Sequence, residues 1–246
     1  MSEPDPSALP SQSERLSRRV SELAACSRAQ AEQYIEGGWV RVDGEVVESP
    51  QFMVTDQCVE LDPDATLEAA EPATMLLHKP AGMVWDASGS LVTEDNRAEG
   101  DHRRGIRVLQ RHFSHLTPLM PLDAQASGLV VFSQDPRVIR RLKEDGPKIE
   151  QEFLVEISGQ TGPYTLSRLT RGLSYQGRVL DACKVSWQNE VRLRFAIKDV
   201  RAGQLRDMCA QVGLEVVSIR RLRIGRIGLN KMPVGQWRYM PVSERF

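Results

Sequence analysis

The sequence predicts an α+β fold: a small domain of two helices and a β-hairpin, followed by a larger domain built on a mixed, mainly antiparallel sheet. Its 246 residues, 41% of them hydrophobic, leave room for two units, because domains most often hold roughly 100 to 150 residues. Apolar residues recur at helical spacing near the start of the chain, whereas strand-like runs dominate after residue 75. An acidic stretch with prolines and alanines separates the two patterns.

These patterns divide the chain into four segments. Residues 1–13 combine prolines with serines and acidic residues. We expect them to form a disordered tail, because such a segment buries too little apolar surface to offset its ordering entropy. Residues 14–61 are expected to form the small domain, residues 62–74 a linker and residues 75–246 the sheet domain.

Two helices are indicated in the small domain. The first is predicted by apolar residues that repeat at helical spacing, which are Leu16, Val20 and Leu23. The second begins at Arg28, because Ser27 and Gln30 match the capping box, in which each of two side chains satisfies an exposed backbone N–H. Its inward residues are Ala31, Tyr34 and Ile35. It ends at Gly37 and Gly38, since glycine readily adopts the positive φ that caps a last turn.

A hairpin follows the second helix. Residues 39–42 and 45–47 read as short strands, and the Asp43-Gly44 dipeptide between them favours a type I′ turn. In the sheet domain, strand-like runs occupy residues 75–77, 129–132, 153–157 and 191–197. Asp135 and Pro136 predict a helix start, with Asp at the N-cap and Pro at the first helical position. Another amphipathic helix carries Leu205, Met208, Cys209 and Val212, and Gly213 ends it.

Composition narrows the classes of function. The formal net charge of -1 gives no general attraction to nucleic acid, but basic residues gather in three runs. They are Arg103, Arg104, Arg107 and Arg111; Arg137, Arg140, Arg141 and Lys143; and Arg220, Arg221, Arg223 and Arg226. The scattered cysteines and the pair His112 and His115 lack metal-ligand spacing, so we expect no metal site. Without a signal peptide or a long apolar run, we expect a cytoplasmic protein that binds no membrane.

The start of the chain resembles the S4 RNA-binding domain. The stretches R-L-S-R-R-V and C-S-R-A-Q-A-E-Q-Y-I-E-G-G-W-V-R-V-D-G carry this resemblance. In that family, basic residues of the two helices and the following loop lie against RNA phosphates, where neutralisation supplies affinity. The resemblance implies RNA contacts here by Arg15, Arg18, Ser27, Arg28 and Arg41. Ala29 departs from the family pattern, which often has a basic residue at that position.

Five further motifs occur in the order found in the RsuA/RluF-type pseudouridine synthases. They are L-H-K-P-A-G, L-D-x-x-x-S-G-L, Q-E-F-L-V-E-I, R-x-x-Q-L-R-x-M, and L-R-I-G-R-I-G-L followed by P-V-G-Q-W-R. With the S4-like start, the resemblance covers residues 15–240. It implies a pseudouridine synthase domain that isomerises uridine in structured RNA. Ribosomal RNA is the expected substrate, 23S rather than 16S, with tRNA as a further option.

The resemblance assigns the catalytic carboxylate to Asp123. Taken alone, Asp123 is an ordinary loop aspartate. Pseudouridine formation breaks a carbon–nitrogen glycosidic bond and rejoins the base through carbon, and a carboxylate can act there as nucleophile or as base at the sugar C2′. By the same match, Arg201 pairs with Asp123, since an opposite charge within about 4 to 6 Å favours the ionised form. Gln204 and Arg206 match positions that orient the site, and Lys79, Gln204 and Arg206 are expected on the RNA side.

Several residues depart from that family. Phe153 occupies the place of a tyrosine that lies against the target base; its ring can stack on uracil but has no hydroxyl. Met120 and Pro121 replace a glycine and an arginine, the latter associated with base flipping, and Gln151 replaces a lysine. These losses weaken the expectation of ordinary catalysis.

Three functions remain open from the sequence. The leading one is an RNA pseudouridine synthase, a monomer with RNA as its partner and with no metal or organic cofactor. The alternative is a catalytically silent or weak RNA-binding, ribosome-associated protein on the same scaffold. A third is a hydrolase of another glycosidic bond, which would need a second carboxylate about 5 to 10 Å from Asp123.

Overall fold

The structure is a computed structural model that describes residues 13–68, 71–99, 101, 106–241 and 244–246. The predicted tail therefore lies outside the described residues except for Ser13. The described chain forms two compact units. One contains the residues up to Glu71 together with Arg107–Arg111, and the other contains the rest from Pro72 onward.

The small unit contains two helices and five short strands. They are β1 (Glu14–Arg15), α1 (Leu16–Leu23), α2 (Arg28–Glu36), β2 (Val40–Val42), β3 (Glu45–Val46), β4 (Met53–Val54) and β5 (Val59–Leu61). Strand β2 pairs with both β3 and β5, and β1 pairs with β4. The apolar sides of the helices and strands meet in one core that contains Leu16, Val20, Ala31, Ile35, Val40, Val42 and Val54.

The local signals in the small unit are confirmed. Ser27 caps α2, accepting a hydrogen bond from Gln30 N at 3.3 Å, while Gln30 Oε1 accepts one from Ser27 N at 2.9 Å. Asp43 and Gly44 have φ of 50° and 85°, as a type I′ turn requires. Leu23 is an exception, because it is 54% exposed, and the buried stripe of α1 consists of Leu16 and Val20.

The segment Arg107–Arg111 packs in the small unit although its sequence position falls within the predicted sheet domain. The Arg107 guanidinium lies 3.7 Å from the ring centroid of Trp39. It also donates to the carbonyl of Gly38 at 2.7 Å and to Asp62 at 3.1 Å. A cation on an indole face is a long-range contact that periodicity along the chain does not predict.

The large unit contains three helices and eleven strands among its described residues. They are β6 (Thr74–Lys79), β7 (Thr117–Leu119), β8 (Ser127–Ser133), α3 (Pro136–Glu144), β9 (Gln151–Ser158), α4 (Thr165–Thr170), β10 (Ser174–Tyr175), β11 (Arg178–Val179), β12 (Lys184–Asn189), β13 (Arg192–Ile197), α5 (Gln204–Gln211), β14 (Glu215–Ile224), β15 (Ile227–Gly228) and β16 (Trp237–Tyr239).

Nine of these strands form one sheet with the order β12-β13-β9-β14-β8-β6-β16, to which β15 adds on β14 and β7 on β8. Strand β14 runs parallel to β8, and the other pairs are antiparallel. The predicted fold class, a small S4-like domain plus a mixed, mainly antiparallel sheet, is therefore confirmed.

The parallel pairing explains a glycine in the L-D-x-x-x-S-G-L motif. Gly128 has φ of 118°, and a Cβ there would lie 2.3 Å from the Arg221 carbonyl oxygen. Only glycine permits this approach of β8 to β14. The approach fixes the end of the loop that carries Asp123.

Helix α3 packs on the sheet as its sequence predicts. Asp135 caps it by accepting from Arg137 N at 2.8 Å. Leu142 is buried, and Val138 and Ile139 pack against the same core cluster. Burying one such leucine contributes roughly 1.5 to 3 kcal/mol.

No helix within the described ranges reaches the length and apolarity that crossing a membrane demands. Nor do the described residues contain a group of three or more His, Cys, Asp or Glu side chains placed to hold a metal ion.

Candidate active site

A cavity of about 240 Å³ opens in the large unit beside the start of β8. Its walls come from the loop before β8, from β9, from the turn before α5 and from β14. The lining residues include Trp85, Pro121, Asp123, Phe153, Arg201 and Leu205. The sequence-predicted Asp123, Phe153 and Arg201 thus line one cavity.

Asp123 is half-buried and is held by the backbone of a distant turn. Its two carboxylate oxygens accept hydrogen bonds from Gly203 N at 3.2 and 3.0 Å. Gly203 is the N-cap of α5, where the positive end of the helix dipole favours a carboxylate. Its φ is 77°, and a Cβ there would lie 2.8 Å from the Tyr175 hydroxyl, so glycine is required for this contact.

Arg221 lies behind the Asp123 loop and is 1% exposed. It donates to the carbonyls of Leu129 at 2.7 Å, Pro121 at 2.9 Å and Met120 at 2.7 Å, and to Gln151 Oε1 at 2.9 Å. Burial lowers the pKa of Arg221, and the Asp123 carboxylate opposes that effect. A buried guanidinium therefore anchors both flanks of the loop and places a positive charge near the carboxylate.

Met120 carries backbone strain at the same place. Its φ is 57°, which is unusual for a residue with a long side chain. The hydrogen bond from Arg221 Nη2 to its carbonyl helps hold this conformation. Such strain costs of order 1 to 3 kcal/mol and persists where surrounding contacts over-determine it.

Lys79 is the second buried cation near Asp123 and is 0% exposed. Its ammonium donates to the carbonyls of Pro80, Met83 and Ala124 at 2.8, 2.7 and 3.1 Å. Burial lowers the pKa of Lys79 from 10.5 to about 8; the Arg221 charge acts in the same direction, and Asp123 in the opposite one. The predicted role of Lys79 in RNA contact is wrong, because the side chain is fully enclosed and its donors are used internally.

The predicted ion pair between Arg201 and Asp123 is absent. Arg201 lines the cavity but is exposed, and its side chain has no ion pair or hydrogen bond within the described part of the chain. Its backbone N–H donates instead to Gln204 Oε1 at 3.1 Å. The backbone of the turn before α5 contacts Asp123 through Gly203. The buried cations next to the Asp123 loop are Arg221 and Lys79.

Phe153 and Gln151 point to the same side of β9, since residues two apart share a face of a strand. Phe153 is 2% exposed and forms part of the cavity wall. It is both a core residue and a ring available at the cavity. Gln151 is 5% exposed and accepts from Arg221.

Gln204 and Arg206 act within the fold. Gln204 is 2% exposed and caps the turn at Arg201, so burial contradicts its predicted contact with RNA. Arg206 is half-buried and donates to the carbonyl of Val216 at 3.0 Å. That contact joins α5 to the start of β14.

The predicted RNA-binding residues of the small unit lie at its surface. Arg15, Arg18, Arg28 and Arg41 are exposed. Arg18 and Arg28 pair with Glu22 and Glu32 one helical turn away, and Arg41 donates to the Gly44 carbonyl at 2.8 Å. The Ser27 oxygen is already used as the cap of α2.

Several residues of the three basic runs are neutralised within the described part of the chain. Arg137, Arg140 and Arg141 pair with Asp135, Glu144 and Asp145, and Arg223 pairs with Glu150 and Glu152. Arg221 is buried, and Arg103 and Arg104 lie outside the described residues. The runs therefore give less free positive charge than their composition indicates.

Sequence reasoning missed the roles of Arg221, Lys79 and Gly203, although two of them left a signal. Arg221 follows Ile219 at strand period two, which places it on the buried side of β14. Lys79 ends a strand in which all six residues are buried. The role of Gly203 has no such signal, because its partner is 80 residues away.

Comparisons with known proteins agree with this architecture. The S4 domain family matches residues 14–57. The dual-specificity RNA pseudouridine synthase RluF of Escherichia coli K12 is 28% identical over an alignment of 243 residues, which covers 96% of this chain and 78% of the relative. The ribosomal small subunit pseudouridine synthase A of Salmonella typhimurium LT2 is 25% identical, over 94% of this chain and 96% of the relative.

A third relative, an uncharacterized RNA pseudouridine synthase of Aquifex aeolicus, is 24% identical over 94% of each chain. A crystal structure of a pseudouridylate synthase shares the fold, with a TM-score of 0.57 at 19% identity over 92% of this chain and 95% of that one. The chain is accordingly a homologue of the RluF- and RsuA-type RNA pseudouridine synthases, with an S4 domain joined to a pseudouridine synthase fold.

Proposed function

We propose that this protein isomerises uridine to pseudouridine in structured RNA, with Asp123 as the catalytic carboxylate. The observation that carries the proposal is the cavity in which Asp123 meets the Phe153 ring, together with two buried cations behind the Asp123 loop. Ribosomal RNA is the proposed substrate. We favour 23S over 16S because identity is higher to RluF, at 28%, than to the small subunit enzyme, at 25%.

The proposed reaction begins with a flipped uridine, whose unstacking costs a few kcal/mol. Asp123 attacks the sugar C1′ or removes a proton from C2′, so that the C1′–N1 bond breaks. The uracil turns while bound against Phe153, and its C5 then bonds to C1′ as the Asp123–C1′ bond breaks or, on the second route, as Asp123 returns the proton to C2′. The C5 proton leaves last; since Phe153 has no hydroxyl, a water molecule is the proposed acceptor.

Arg221, Lys79 and Gly203 position the carboxylate in this proposal. Arg221 and Lys79 hold the carbonyls that flank Asp123, and Gly203 N–H fixes its oxygens. In the proposal these contacts take the place of the predicted ion pair between Asp123 and Arg201. Arg201 stands at the exposed side of the cavity, which suits contact with an RNA phosphate.

The remaining site and domain assignments are part of the same proposal. Residues 14–61 bind RNA through Arg15, Arg18, Arg28 and Arg41, and residues 75–246 carry the chemistry. The chemistry needs only the carboxylate and the RNA, so the proposal includes no metal or organic cofactor. It also takes the enzyme to act as a monomer in the cytoplasm, where ribosomal RNA is located.

A silent RNA-binding protein is the second candidate, and Met120, Pro121, Gln151 and Phe153 favour it as departures from the family pattern. The hydrolase alternative lacks its second carboxylate, because Asp123 is the only acidic residue among the described ones that line the cavity.

Release of tritium from RNA labelled at uridine C5 separates the candidates. Transcripts of 23S and 16S ribosomal RNA and of tRNA are incubated with the wild-type protein, with Asp123→Asn and with Asp181→Asn. Asp181 is an exposed aspartate outside the cavity, so it controls for the same chemical change. We expect release from one transcript by the wild type and by Asp181→Asn, and none by Asp123→Asn. Binding without release by any protein would support the silent binder.

A further inference from the structure

A second cavity lies beside the Asp123 cavity and has no role in the proposed reaction. Its volume is about 370 Å³, against about 240 Å³ for the Asp123 cavity. Trp85, Pro121 and Val200 line both cavities and form the wall between them. If the smaller cavity accepts a uracil, the larger one has room for a second base.

The surfaces of this second cavity suit a planar base. Pro118, Pro121 and Pro147 offer flat apolar faces beside the Trp85 indole, and Met120 adds a polarisable side chain. Stacking on an aromatic ring contributes to binding of any base, because every base has a π face. The cavity is thus apolar on its sides and shares three lining residues with the cavity of the target uridine.

Gln151 supplies a fixed polar group in the wall of this cavity. The side chain is 5% exposed, and its Oε1 accepts from Arg221 Nη1 at 2.9 Å. Because arginine can only donate, this contact fixes the amide orientation and leaves Nε2 as the free end. Nε2 has no hydrogen bond within the described part of the chain. Nε2 is not enclosed and keeps contact with solvent, so an acceptor atom of a ligand in the cavity can replace water there.

The charges at the rim suit a nucleotide. Lys143 lines the cavity, is exposed and has no ion pair with any described residue. Asp199 also lines it, but Arg178 neutralises that carboxylate at 2.9 Å. A phosphate at the rim would therefore lie near the Lys143 ammonium, and the nearby Asp199 carboxylate is already paired with Arg178.

One wall residue from each cavity gives a spacing that fits adjacent nucleotides that are no longer stacked. Phe153 and Gln151 are two residues apart on β9, which is about 7 Å along a strand. Stacked neighbours in a nucleic acid are about 3.4 Å apart. Occupation of both cavities would require the step between the two nucleotides to open, as it does when the target uridine is flipped.

We propose that this second cavity, defined by Trp85, Met120, Pro121, Lys143, Pro147 and Gln151, is a subsite for the base of a nucleotide next to the target uridine. Gln151 Nε2 donates to an acceptor atom of that base, and Lys143 contacts its phosphate. The subsite rests on the proposed function. It gives this enzyme a means to select among uridines by the base of the neighbouring nucleotide.

The test is equilibrium binding of fluorescently labelled RNA hairpins with one uridine in the loop. One hairpin has intact neighbours, a second lacks the base 5′ of the uridine and a third lacks the base 3′ of it. The protein variant is Gln151→Glu, because a carboxylate still accepts from Arg221 but has no N–H to donate. Gln188→Glu, on an exposed position of β12, is the matched control for added charge.

We expect the wild-type protein to bind one abasic hairpin roughly 5- to 150-fold more weakly than the intact one. In Gln151→Glu this penalty should shrink by about 2- to 12-fold, the value of one hydrogen bond, and in Gln188→Glu it should stay as in the wild type. Equal binding of the three hairpins, or the same penalty in both variants, would overturn the subsite. So would a lack of hairpin binding by the wild type.

These outcomes are separate from those of the tritium assay. Tritium release together with equal binding of the intact and abasic hairpins would leave the proposed function intact and remove the subsite. A Gln151-dependent penalty without tritium release would remove the catalytic proposal and retain a base-binding cavity.

Discussion

The small unit and the sheet unit differ in the distance along the chain over which their key contacts act. In the small unit, Ser27 and Gln30 cap each other across three residues, and Arg41 reaches Gly44 across three. Arg107 is the exception in that unit, because it reaches Gly38 and Asp62 from 69 and 45 residues away. In the sheet unit, Arg221 bonds to partners 70, 92, 100 and 101 residues away. Short-range contacts can form before the domain does, whereas the environment of Asp123 exists only when the whole sheet has formed.

The largest effect is expected for Arg221→Met. The change removes the Arg221 donors from four acceptors, three of them in buried contacts. We therefore expect the free energy of unfolding to fall by about 3 to 5 kcal/mol. Arg220→Met is the control, because the neighbouring Arg220 is exposed and should cost less than about 0.5 kcal/mol. Urea unfolding of the full chain measures both. Equal losses in the two variants would contradict the anchoring role of Arg221.

A pH dependence is expected from Lys79. Its pKa is about 8 in the folded protein and 10.5 ordinarily, so the unfolded chain binds more protons between these values. The free energy of unfolding contributed by Lys79 must therefore rise with pH in that window, by at most about 1.4 kcal/mol per pH unit. The stability difference between wild type and Lys79→Met should grow from pH 8 to pH 10.5.

Lys143→Met is the control for the Lys79 measurement, because Lys143 is exposed. Its stability difference from the wild type should stay nearly constant over the same pH range. A constant difference for Lys79→Met as well would show that Lys79 titrates like a surface lysine.

In the small unit, the capping box gives a smaller effect. Ser27→Ala removes the acceptor for Gln30 N, and we expect a loss of about 0.5 to 2 kcal/mol in the free energy of unfolding. Ser49→Ala changes an exposed serine of the same unit and should cost less than about 0.5 kcal/mol. Hydrogen exchange of the amides of α2 would locate the effect. Unchanged exchange in Ser27→Ala would argue against a stabilising cap.

The smallest effect on stability is expected for Arg18→Ala. Arg18 is 73% exposed and pairs with Glu22 and Glu14, so the free energy of unfolding should hardly change, because water screens exposed ion pairs. If Arg18 contacts a phosphate, the variant should bind ribosomal RNA more weakly. The slope of log affinity against log salt concentration should then fall in magnitude by about one. Titration of salt against RNA affinity measures this. An unchanged slope would remove Arg18 from the RNA-binding surface.

The comparison of the two units also explains what the sequence could predict. The bounds of α2, the type I′ turn and the start of α3 follow from local chemistry in residues such as Ser27, Gly44 and Asp135. The presence of Asp123, Phe153 and Arg201 at one cavity followed from motif order. The predicted ion pair was wrong, because motif order places Arg201 at the cavity of Asp123 but does not determine where its side chain points, and that side chain is exposed.

The partners of the Asp123 loop in the structure show why they could not be predicted from the sequence. Gly203 contributes only a backbone N–H, which leaves no trace in side-chain chemistry. Arg221 belongs to a run of arginines and differs from Arg220 only by the side of β14 that it occupies. Its burial depends on the parallel pairing of β14 with β8, a long-range contact that local sequence patterns do not determine.

The central claim is that Asp123 catalyses isomerisation, and nucleoside analysis of treated RNA tests it most directly. Ribosomal RNA is incubated with excess protein in a single turnover, digested and separated by chromatography. The account predicts pseudouridine with the wild-type protein and a rate at least about 100-fold lower with Asp123→Asn, at unchanged RNA affinity. Equal rates for the two proteins, free uracil as the product, or bound RNA without pseudouridine would contradict it.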